Sequence, residues 1–199
     1  MCLECWTRIP YLNYSNAEDN EMIRTLWSYA PVAHAASLFA YQHYSPYHNL
    51  ILQMKYQGCS GLAEQLGRWA ATELRPLHIQ EQIDVIIPVP LSRIKQWKRG
   101  YNQSYHIALG VSKTYERPIV QWLKRTAHRE TQTHKTAEER FLNAQSTYEA
   151  NIPESCLGKR ILLVDDVMTT GATLSACANA ILKADPTAEI SIFTLARTV

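Results

Sequence analysis

The sequence predicts an α/β fold built on a doubly wound parallel sheet. Short runs of consecutive apolar residues, the clearest at 161–164, are typical of strands that are covered on both faces. Amphipathic helical patterns alternate with these runs along the chain, as they do in sheets with helices on both sides. The 199 residues, 46% of them hydrophobic, provide enough apolar material for one full-sized core. We therefore expect one compact α/β unit.

Local signals place the helices and strands in order along the chain. The apolar periodicity predicts helices over residues 48–56, 60–74, 102–113 and 173–184. Runs of apolar, mostly branched residues predict strands over residues 84–87, 119–123, 161–164 and 190–195. Ser60 is the expected N-cap of the second helix, because its hydroxyl can accept a hydrogen bond from a first-turn amide. The aromatic-rich and histidine-rich segment 1–80 differs in composition from the α/β core at 81–199, and we expect the two to form one unit.

The charge distribution favours an anionic ligand. The whole chain has a net charge of +2, but residues 93–140 contain 11 basic and 4 acidic residues, a net charge of +7. No apolar run approaches the roughly 18 residues of a membrane span, and the first residues lack the profile of a secretory signal. Five cysteines in this chain are typical of reduced thiols rather than of a disulfide framework. These features predict a cytoplasmic protein.

The segment after the predicted strand at 161–164 has the composition of a sugar-phosphate site. Asp165 and Asp166 can accept hydrogen bonds from the vicinal hydroxyls of a ribose. The residues that follow predict a phosphate cup, because hydroxyl groups, a glycine and the amides that open a helix all favour an anion. The expected phosphate-binding residues are Thr169, Thr170, Gly171, Ala172 and Thr173. The alternative is that these acids and threonines only serve turns and helix caps.

Three blocks of the sequence carry a resemblance to a known family. Residues 161–173 match the motif with which type I phosphoribosyltransferases bind phosphoribosyl pyrophosphate (PRPP). Residues 87–91 and 98–104 resemble the ComF (competence protein F) family, also called amidophosphoribosyltransferase-like. A third block that is similar to the family contains Thr131, Gln132, Thr133, Glu139, Arg140 and Asn143. The resemblance covers most of the chain from residue 50 to residue 196, and it implies a type I phosphoribosyltransferase core with a small N-terminal helical hood.

The resemblance also implies a role for each matched residue. Asp165 and Asp166 would hold the ribose hydroxyls, and together with Arg99 they are the expected catalytic residues. The loop expected to face the pyrophosphate contains Val89, Pro90, Leu91 and Arg93. The mobile basic loop expected to close over it contains Arg125, Arg129 and Arg140. Mg²⁺ is implied as the cofactor, bound by the pyrophosphate and water with no direct protein ligand.

Two functions stay open at this point. The first is the Mg²⁺-dependent transfer of phosphoribosyl from PRPP to a nitrogen acceptor with release of pyrophosphate, in a protein for which the family analogy favours a homodimer. The second is a non-catalytic PRPP pocket in a protein that acts in DNA uptake and competence by binding single-stranded DNA or a competence protein. Basic and aromatic residues interleave at 93–105, as in surfaces that follow a nucleic-acid backbone and stack bases. A pyrophosphate loop and a solvated basic loop are the alternatives for the same segment.

Two N-terminal features are also open to more than one interpretation. Cys2 and Cys5 resemble one half of a four-cysteine zinc finger found in ComF proteins. Because a structural zinc needs four ligands, zinc is not expected in this chain. Lys55 and Tyr56 resemble a further family block at the end of a predicted helix and could reach the ligand cleft. The alternative is a packing helix whose lysine extends to solvent.

Overall fold

The computed structural model describes residues 9–42, 46–126 and 147–199. Within these ranges the helices are α1 (Glu21–Trp27), α2 (Pro46–Tyr56), α3 (Ser60–Glu73), α4 (Arg93–Arg99), α5 (Gln103–Tyr115) and α6 (Ala172–Ala184). The strands are β1 (His34–Ala40), β2 (Val85–Pro88), β3 (Leu123–Arg125), β4 (Tyr148–Ala150), β5 (Arg160–Met168) and β6 (Glu189–Arg197). Short 3₁₀ turns lie at Arg75–Leu77, Ile79–Gln82 and Glu154–Cys156. None of the helices in these ranges is long and apolar enough to cross a membrane.

A four-stranded parallel sheet organises the fold. Its strand order is β1-β6-β5-β2, and each of the three pairings is parallel. Leu163 of β5 lies beside Ile87 of β2 on one side and Ile192 of β6 on the other. Strands β3 and β4 form a separate antiparallel pair. Because the four strands of the main sheet run in one direction, their carboxyl ends meet at the same edge.

Helices cover both faces of this sheet. On one face α2, α3 and α5 bury residues such as Ile51, Leu66 and Ile107 against the strands. On the other face α1 and α6 do so with residues such as Ile23 and Ile181. The unbroken apolar character of the strands is a consequence of this double cover. The predicted doubly wound α/β architecture is confirmed.

Close packing of α3 against α5 fixes the position of α5. A Cβ atom on Gly67 would lie 2.2 Å from the carbonyl oxygen of Ile107, and a Cβ atom on Gly110 would lie 2.1 Å from that of Glu64. Only glycine allows the two helices to approach this closely. The Nζ atom of Lys113 also lies 2.7 Å from the Glu64 carboxylate. The first turn of α5 is thereby held in a defined place at the carboxyl edge of the sheet.

The main sheet contains one strand that the sequence analysis does not predict. The segment His34–Ala40 is buried throughout and pairs with β6, although it contains three alanines, a serine and no β-branched residue. Intrinsic strand propensity is therefore weak there, and pairing with β6 and burial between helices decide the conformation.

Three other boundaries also differ from expectation. The strand predicted over 119–123 is wrong in its bounds, because Ile119 makes only an isolated bridge to Ile86 and the strand begins at Leu123. Ser60 is the first residue of α3 rather than its N-cap, which is Cys59 without a side-chain capping bond. Strand β5 continues to Met168, so the acid pair lies within the strand and not after it.

Candidate ligand-binding site

Two adjacent carboxylates lie near the carboxyl end of β5. Asp165 is half-buried, and Asp166 is buried. The Ser104 hydroxyl donates to Oδ1 of Asp165 at 2.7 Å, and Gln103 Nε2 donates to Oδ2 of Asp166 at 3.4 Å. Both donors stand in the first turn of α5, where Asn102 is the N-cap and its side chain accepts from the Ser104 amide. The N-terminus of α5 therefore positions the acid pair.

The acid pair and its neighbours have more hydrogen-bond acceptors than donors. Within the described part of the chain no donor contacts Oδ2 of Asp165, and Oε1 of the buried Gln103 side chain has no hydrogen-bond partner. Burial and then the neighbouring charge of Asp166 raise the pKa of Asp165 to about 7. A hydroxyl that donates a hydrogen bond to Asp165 stabilises its ionised form, which burial and the second acid disfavour. The pair therefore favours a ligand that supplies hydroxyl groups.

A lysine from α2 is the counterion of the acid pair. The Nζ atom of Lys55 lies 3.2 Å from Oδ2 of Asp166, with side-chain exposures of 20% and 12%. The Tyr101 hydroxyl donates to the carbonyl oxygen of Met54 and so ties the last turn of α2 to the segment before α5. Lys55 therefore does not extend to solvent, which was one of the two interpretations left open for it, but reaches the acid pair.

The segment between β5 and α6 combines a tight turn with a helix N-terminus. Gly171 is the N-cap with φ +79°, a left-handed conformation that favours glycine, and a Cβ atom there would lie 3.2 Å from each of two neighbouring apolar side chains. Thr169, Thr170 and Thr173 are exposed, and Ala172 is half-buried. The first amides of α6 have no acceptor within the helix, and its dipole favours an anion at this end. The turn therefore presents donors to an anion directly after the acid pair.

The β3–β4 pair lies beside the start of α6. Tyr148 is buried, and burial raises the pKa of its hydroxyl, which lies close to Thr173. The Arg125 guanidinium lies 5.7 Å from the Tyr148 ring centroid. Arg125, which the resemblance places in a basic loop, is thus the last residue of β3. Arg129 and Arg140 lie outside the described residues.

The loop after β2 lies against the strand that carries the acids. The Val89 amide donates to the carbonyl oxygen of Val164 at 2.9 Å, and Asn102 Nδ2 donates to the carbonyl oxygen of Val89 at 3.0 Å. Pro90 and Leu91 follow and are half-buried. The structure therefore brings the expected pyrophosphate loop next to the residue before Asp165.

Helix α4 is a basic helix on the surface. Trp97 is 85% exposed, and Arg93, at the start of the helix, is exposed as well. The Arg99 guanidinium lies 5.4 Å from the ring centroid of Tyr56, which is also exposed. Within the described residues, Arg99 forms neither an ion pair nor a side-chain hydrogen bond with Asp165 or Asp166. The structure therefore places Arg99 on the α4 surface rather than on the acids.

The described residues contain no group of three or more His, Cys, Asp or Glu side chains that could hold a metal ion.

Cys177 is buried in α6, where burial raises the pKa of its thiol. The remaining residues named for the resemblance lie outside the described ranges. They are Cys2, Cys5, Thr131, Gln132, Thr133, Glu139 and Asn143.

The sequence analysis assigns no role to Gln103, Ser104 or Tyr148. The capping residue Asn102 is a usable signal, because it places Gln103 and Ser104 in the first turn of a helix that follows a strand. No sequence signal marks Tyr148, since its position beside α6 depends on a pairing between β3 and β4.

Comparisons with known proteins identify a matching domain and several relatives. A family model described as phosphoribosyl transferase domain matches residues 106–198. Competence protein F of Haemophilus influenzae is 32% identical over 161 residues, which cover 78% of this chain and 70% of that protein. DNA utilization protein YhgH of Escherichia coli is 30% identical over 168 residues, which cover 77% of this chain and 68% of that protein. Competence protein ComFC of Bacillus subtilis is 34% identical over 113 residues, which cover 57% of this chain and 44% of that protein.

A solved structure is also similar to this chain. It is glutamine PRPP amidotransferase from Bacillus subtilis, complexed with ADP and GMP, with a TM-score of 0.43 and 19% identity. The match covers 65% of this chain and 25% of that one.

The fold defines the class of protein, an α/β protein with a doubly wound parallel sheet, in which residues 106–198 match a phosphoribosyl transferase domain. Within that class the chain belongs to the competence protein F (ComF) family, since it is 32% identical to Competence protein F of Haemophilus influenzae and covers 70% of that protein.

Proposed function

We propose that this protein binds PRPP at the carboxyl edge of the sheet and transfers its phosphoribosyl group to a nitrogen acceptor. The observation that carries the proposal is the order of groups on one strand–turn–helix segment. Asp165 and Asp166 present acceptors for the 2′ and 3′ hydroxyls, and the turn at Gly171 presents donors for the 5′-phosphate. A phosphorylated ribose matches both halves of this segment at once.

In the proposed reaction the bond between carbon 1 and the pyrophosphate oxygen breaks, and a bond between carbon 1 and the acceptor nitrogen forms. Pyrophosphate leaves with the electron pair, and the proton of the nitrogen passes to the leaving pyrophosphate or to water. The loop from Val89 to Leu91 and the exposed Arg93 are the groups proposed to face the pyrophosphate. The protein would act by orienting the two reactants and by stabilising charge, with no covalent intermediate.

Mg²⁺ is part of this proposal, because it neutralises charge on the pyrophosphate leaving group. The carboxylates of the candidate site are Asp165 and Asp166, and Asp166 already holds Lys55. The described residues contain no group of three or more acidic, histidine or cysteine side chains that could hold a metal ion. Pyrophosphate oxygens and water would therefore bind the ion, as is usual for Mg²⁺ with phosphorylated ligands.

The sugar part of the proposal is tested by comparing two sugar phosphates by calorimetry. We expect ribose 5-phosphate to bind on the order of ten-fold more tightly than 2-deoxyribose 5-phosphate, because a hydrogen bond to a charged group contributes about 1.5–3 kcal/mol. Asp165→Asn combined with Asp166→Asn should abolish this preference. Asp84→Asn, at the opposite edge of the sheet, is the matched control and should leave it unchanged. Equal affinities of the wild-type protein for the two sugars would refute the role of the acid pair.

Transfer itself is tested by release of pyrophosphate from PRPP and Mg²⁺ with a panel of nitrogen bases and amines. Release that depends on one acceptor, and that the double Asn variant lacks, supports an enzyme. Tight PRPP binding without release for any acceptor contradicts transfer and leaves a binding protein.

A second function is favoured by a separate surface, and we propose that α4 binds single-stranded nucleic acid. Trp97 is 85% exposed on a helix that carries four basic residues, and Arg99 stacks over the exposed ring of Tyr56. Cations that follow phosphates beside aromatic rings that stack on bases are typical of single-strand binding. The names of two relatives refer to competence and one to DNA utilization.

This second function is tested by fluorescence anisotropy with a labelled oligothymidylate. We expect Trp97→Ala to weaken binding by about ten-fold, since stacking contributes about 1–3 kcal/mol per base. Lys98→Glu should weaken it by about as much, because it replaces a cation beside the phosphates with an anion. Lys183→Glu, at the far end of α6, is the matched control and should have little effect. Binding should fall with salt and should survive the double Asn substitution of the acid pair. Wild-type affinity in both α4 variants would contradict the proposal.

A further inference from the structure

We propose that Lys55 is a positioning residue that keeps Asp166 available as an acceptor for a sugar hydroxyl, so that the site selects phosphorylated sugars with a vicinal diol. The proposal rests on the proposed PRPP-binding function and deepens it, because it gives α2 a role in ligand selection. Lys55 acts through Asp166 and does not itself touch the sugar.

The contacts of Asp166 leave room for a ligand while Lys55 stays in place. Its Oδ2 atom lies 3.2 Å from Nζ of Lys55 and 3.4 Å from Nε2 of Gln103. Its Oδ1 atom accepts from the Val167 amide at 2.7 Å. A carboxylate has about four acceptor positions, and these three contacts therefore leave one for a hydroxyl.

The surroundings of the acid pair make a cation necessary. Besides Lys55, the titratable or polar groups that face it from other elements are Tyr101, Gln103, Ser104, Cys177 and Tyr148, with Arg125 beyond Tyr148. Burial raises the pKa of Tyr101, Cys177 and Tyr148, so these groups are neutral at pH 7. Within the described ranges Lys55 is the cation that forms an ion pair with either acid. Without it, two adjacent carboxylates would share a partly buried site uncompensated, which favours protonation of one of them.

Packing of α2 holds Lys55 at this place. Ile51 and Met54 are fully buried under the helix, and the Tyr101 hydroxyl donates to the Met54 carbonyl oxygen. The lysine side chain is only 20% exposed. A short, partly shielded ion pair on a fixed helix interacts more strongly than an exposed pair of flexible side chains.

The first test is calorimetric titration with ribose 5-phosphate at pH 7 and pH 8.5. Lys55→Met removes the charge but keeps a similar shape, and we expect it to weaken binding by about ten-fold at pH 7 and by less than about three-fold at pH 8.5, because higher pH ionises the pair without the lysine. Lys55→Arg should retain most of the affinity, and Lys183→Met is the matched control with no expected effect. A purely structural role predicts equal losses at both pH values, and that result would overturn the proposal.

The second test needs no ligand. Carboxyl ¹³C NMR of the free protein gives the titration midpoint of Asp165, which we expect to move to higher pH in Lys55→Met and to stay near wild type in Lys55→Arg. An unchanged midpoint in a folded Lys55→Met variant contradicts the proposal. If the wild-type protein does not bind ribose 5-phosphate although the midpoint moves, the proposed function fails and with it the selection of a diol, whereas the action of Lys55 on the acids stands.

Discussion

Replacement of Asp165 by asparagine is expected to stabilise the free protein above neutral pH while weakening its binding of a sugar phosphate. The carboxylate is half-buried next to a second acid, and these two features raise its pKa. Asparagine has nearly the same shape and retains an oxygen that accepts from Ser104 and from the Asp166 amide, the two donors seen at Oδ1. The substitution therefore removes the charge with little change in packing.

The sign of the effect follows from proton binding. Between about pH 4 and pH 7 the folded protein holds a proton on Asp165 that the unfolded chain has lost, so the free energy of unfolding falls as pH rises and levels off above this window. The difference between the ordinary value of 3.8 and about 7 corresponds to at most roughly 4 kcal/mol at 1.36 kcal/mol for each pH unit. Because water reaches the half-buried group, we expect about 1–3 kcal/mol in the measurement.

Urea unfolding at pH 5 and pH 8 measures this effect directly. The wild-type protein should lose stability between the two pH values, and Asp165→Asn should lose about 1–3 kcal/mol less. At pH 8 the variant should also bind ribose 5-phosphate more weakly. The reasoning is refuted if the free energy of unfolding changes equally with pH in the two proteins. It is also refuted if the variant is the less stable protein at pH 8 while its circular dichroism spectrum remains that of the folded wild type.

Three further substitutions test the surroundings of the site and the framework that holds it. Ser104→Ala removes a hydroxyl that donates to the half-buried acid, and we expect a loss of about 1–2 kcal/mol in urea unfolding and an NMR midpoint of that acid at higher pH. An unchanged midpoint would contradict this. Gly171→Ala forces a side chain into a left-handed turn with close neighbours and should cost about 1–3 kcal/mol in thermal unfolding, whereas Gly61→Ala, in open space within a helix, should not destabilise. Similar effects of the two substitutions would argue against strain at the turn. Asp84→Asn should cost about 1 kcal/mol at pH 7, because Arg160 lowers the pKa of this acid to about 2. Its contribution is lost as pH falls from about 4 to about 2, so an equal cost at pH 7 and pH 2 would contradict the assignment.

The segment that carries the acids could be predicted from the sequence because its determinants are local. A buried apolar run, two acids, threonines and a glycine follow one another within residues 161–173, and each fixes the conformation of its neighbours. Sequence alone did not give the end of the strand. Pairing with β6 continues to Met168 opposite Arg197, and this contact joins residues that are distant in the chain.

The roles of Gln103 and Ser104 could not be predicted from the sequence, since these residues come from another element of the fold. Ser104 and Gln103 are 61 and 63 residues away from the acids that they contact. Their position depends on the close approach of α3 and α5, for which Gly67 and Gly110 are required. No periodicity or motif in the sequence predicts that α3 packs against α5.

Two adjacent acids at this place do not stabilise the folded protein, and their presence is better explained by ligand binding. Two adjacent carboxylates in a partly buried place destabilise the free protein, and the raised pKa of Asp165 expresses that cost. A neutral pair of the same shape would be the more stable arrangement. The surrounding residues nevertheless compensate the charges only in part, with one lysine, one hydroxyl, one side-chain amide and two backbone amides, and they leave acceptors without donors. A sugar diol would supply the missing donors, so that the instability of the free site becomes a source of affinity for the ligand.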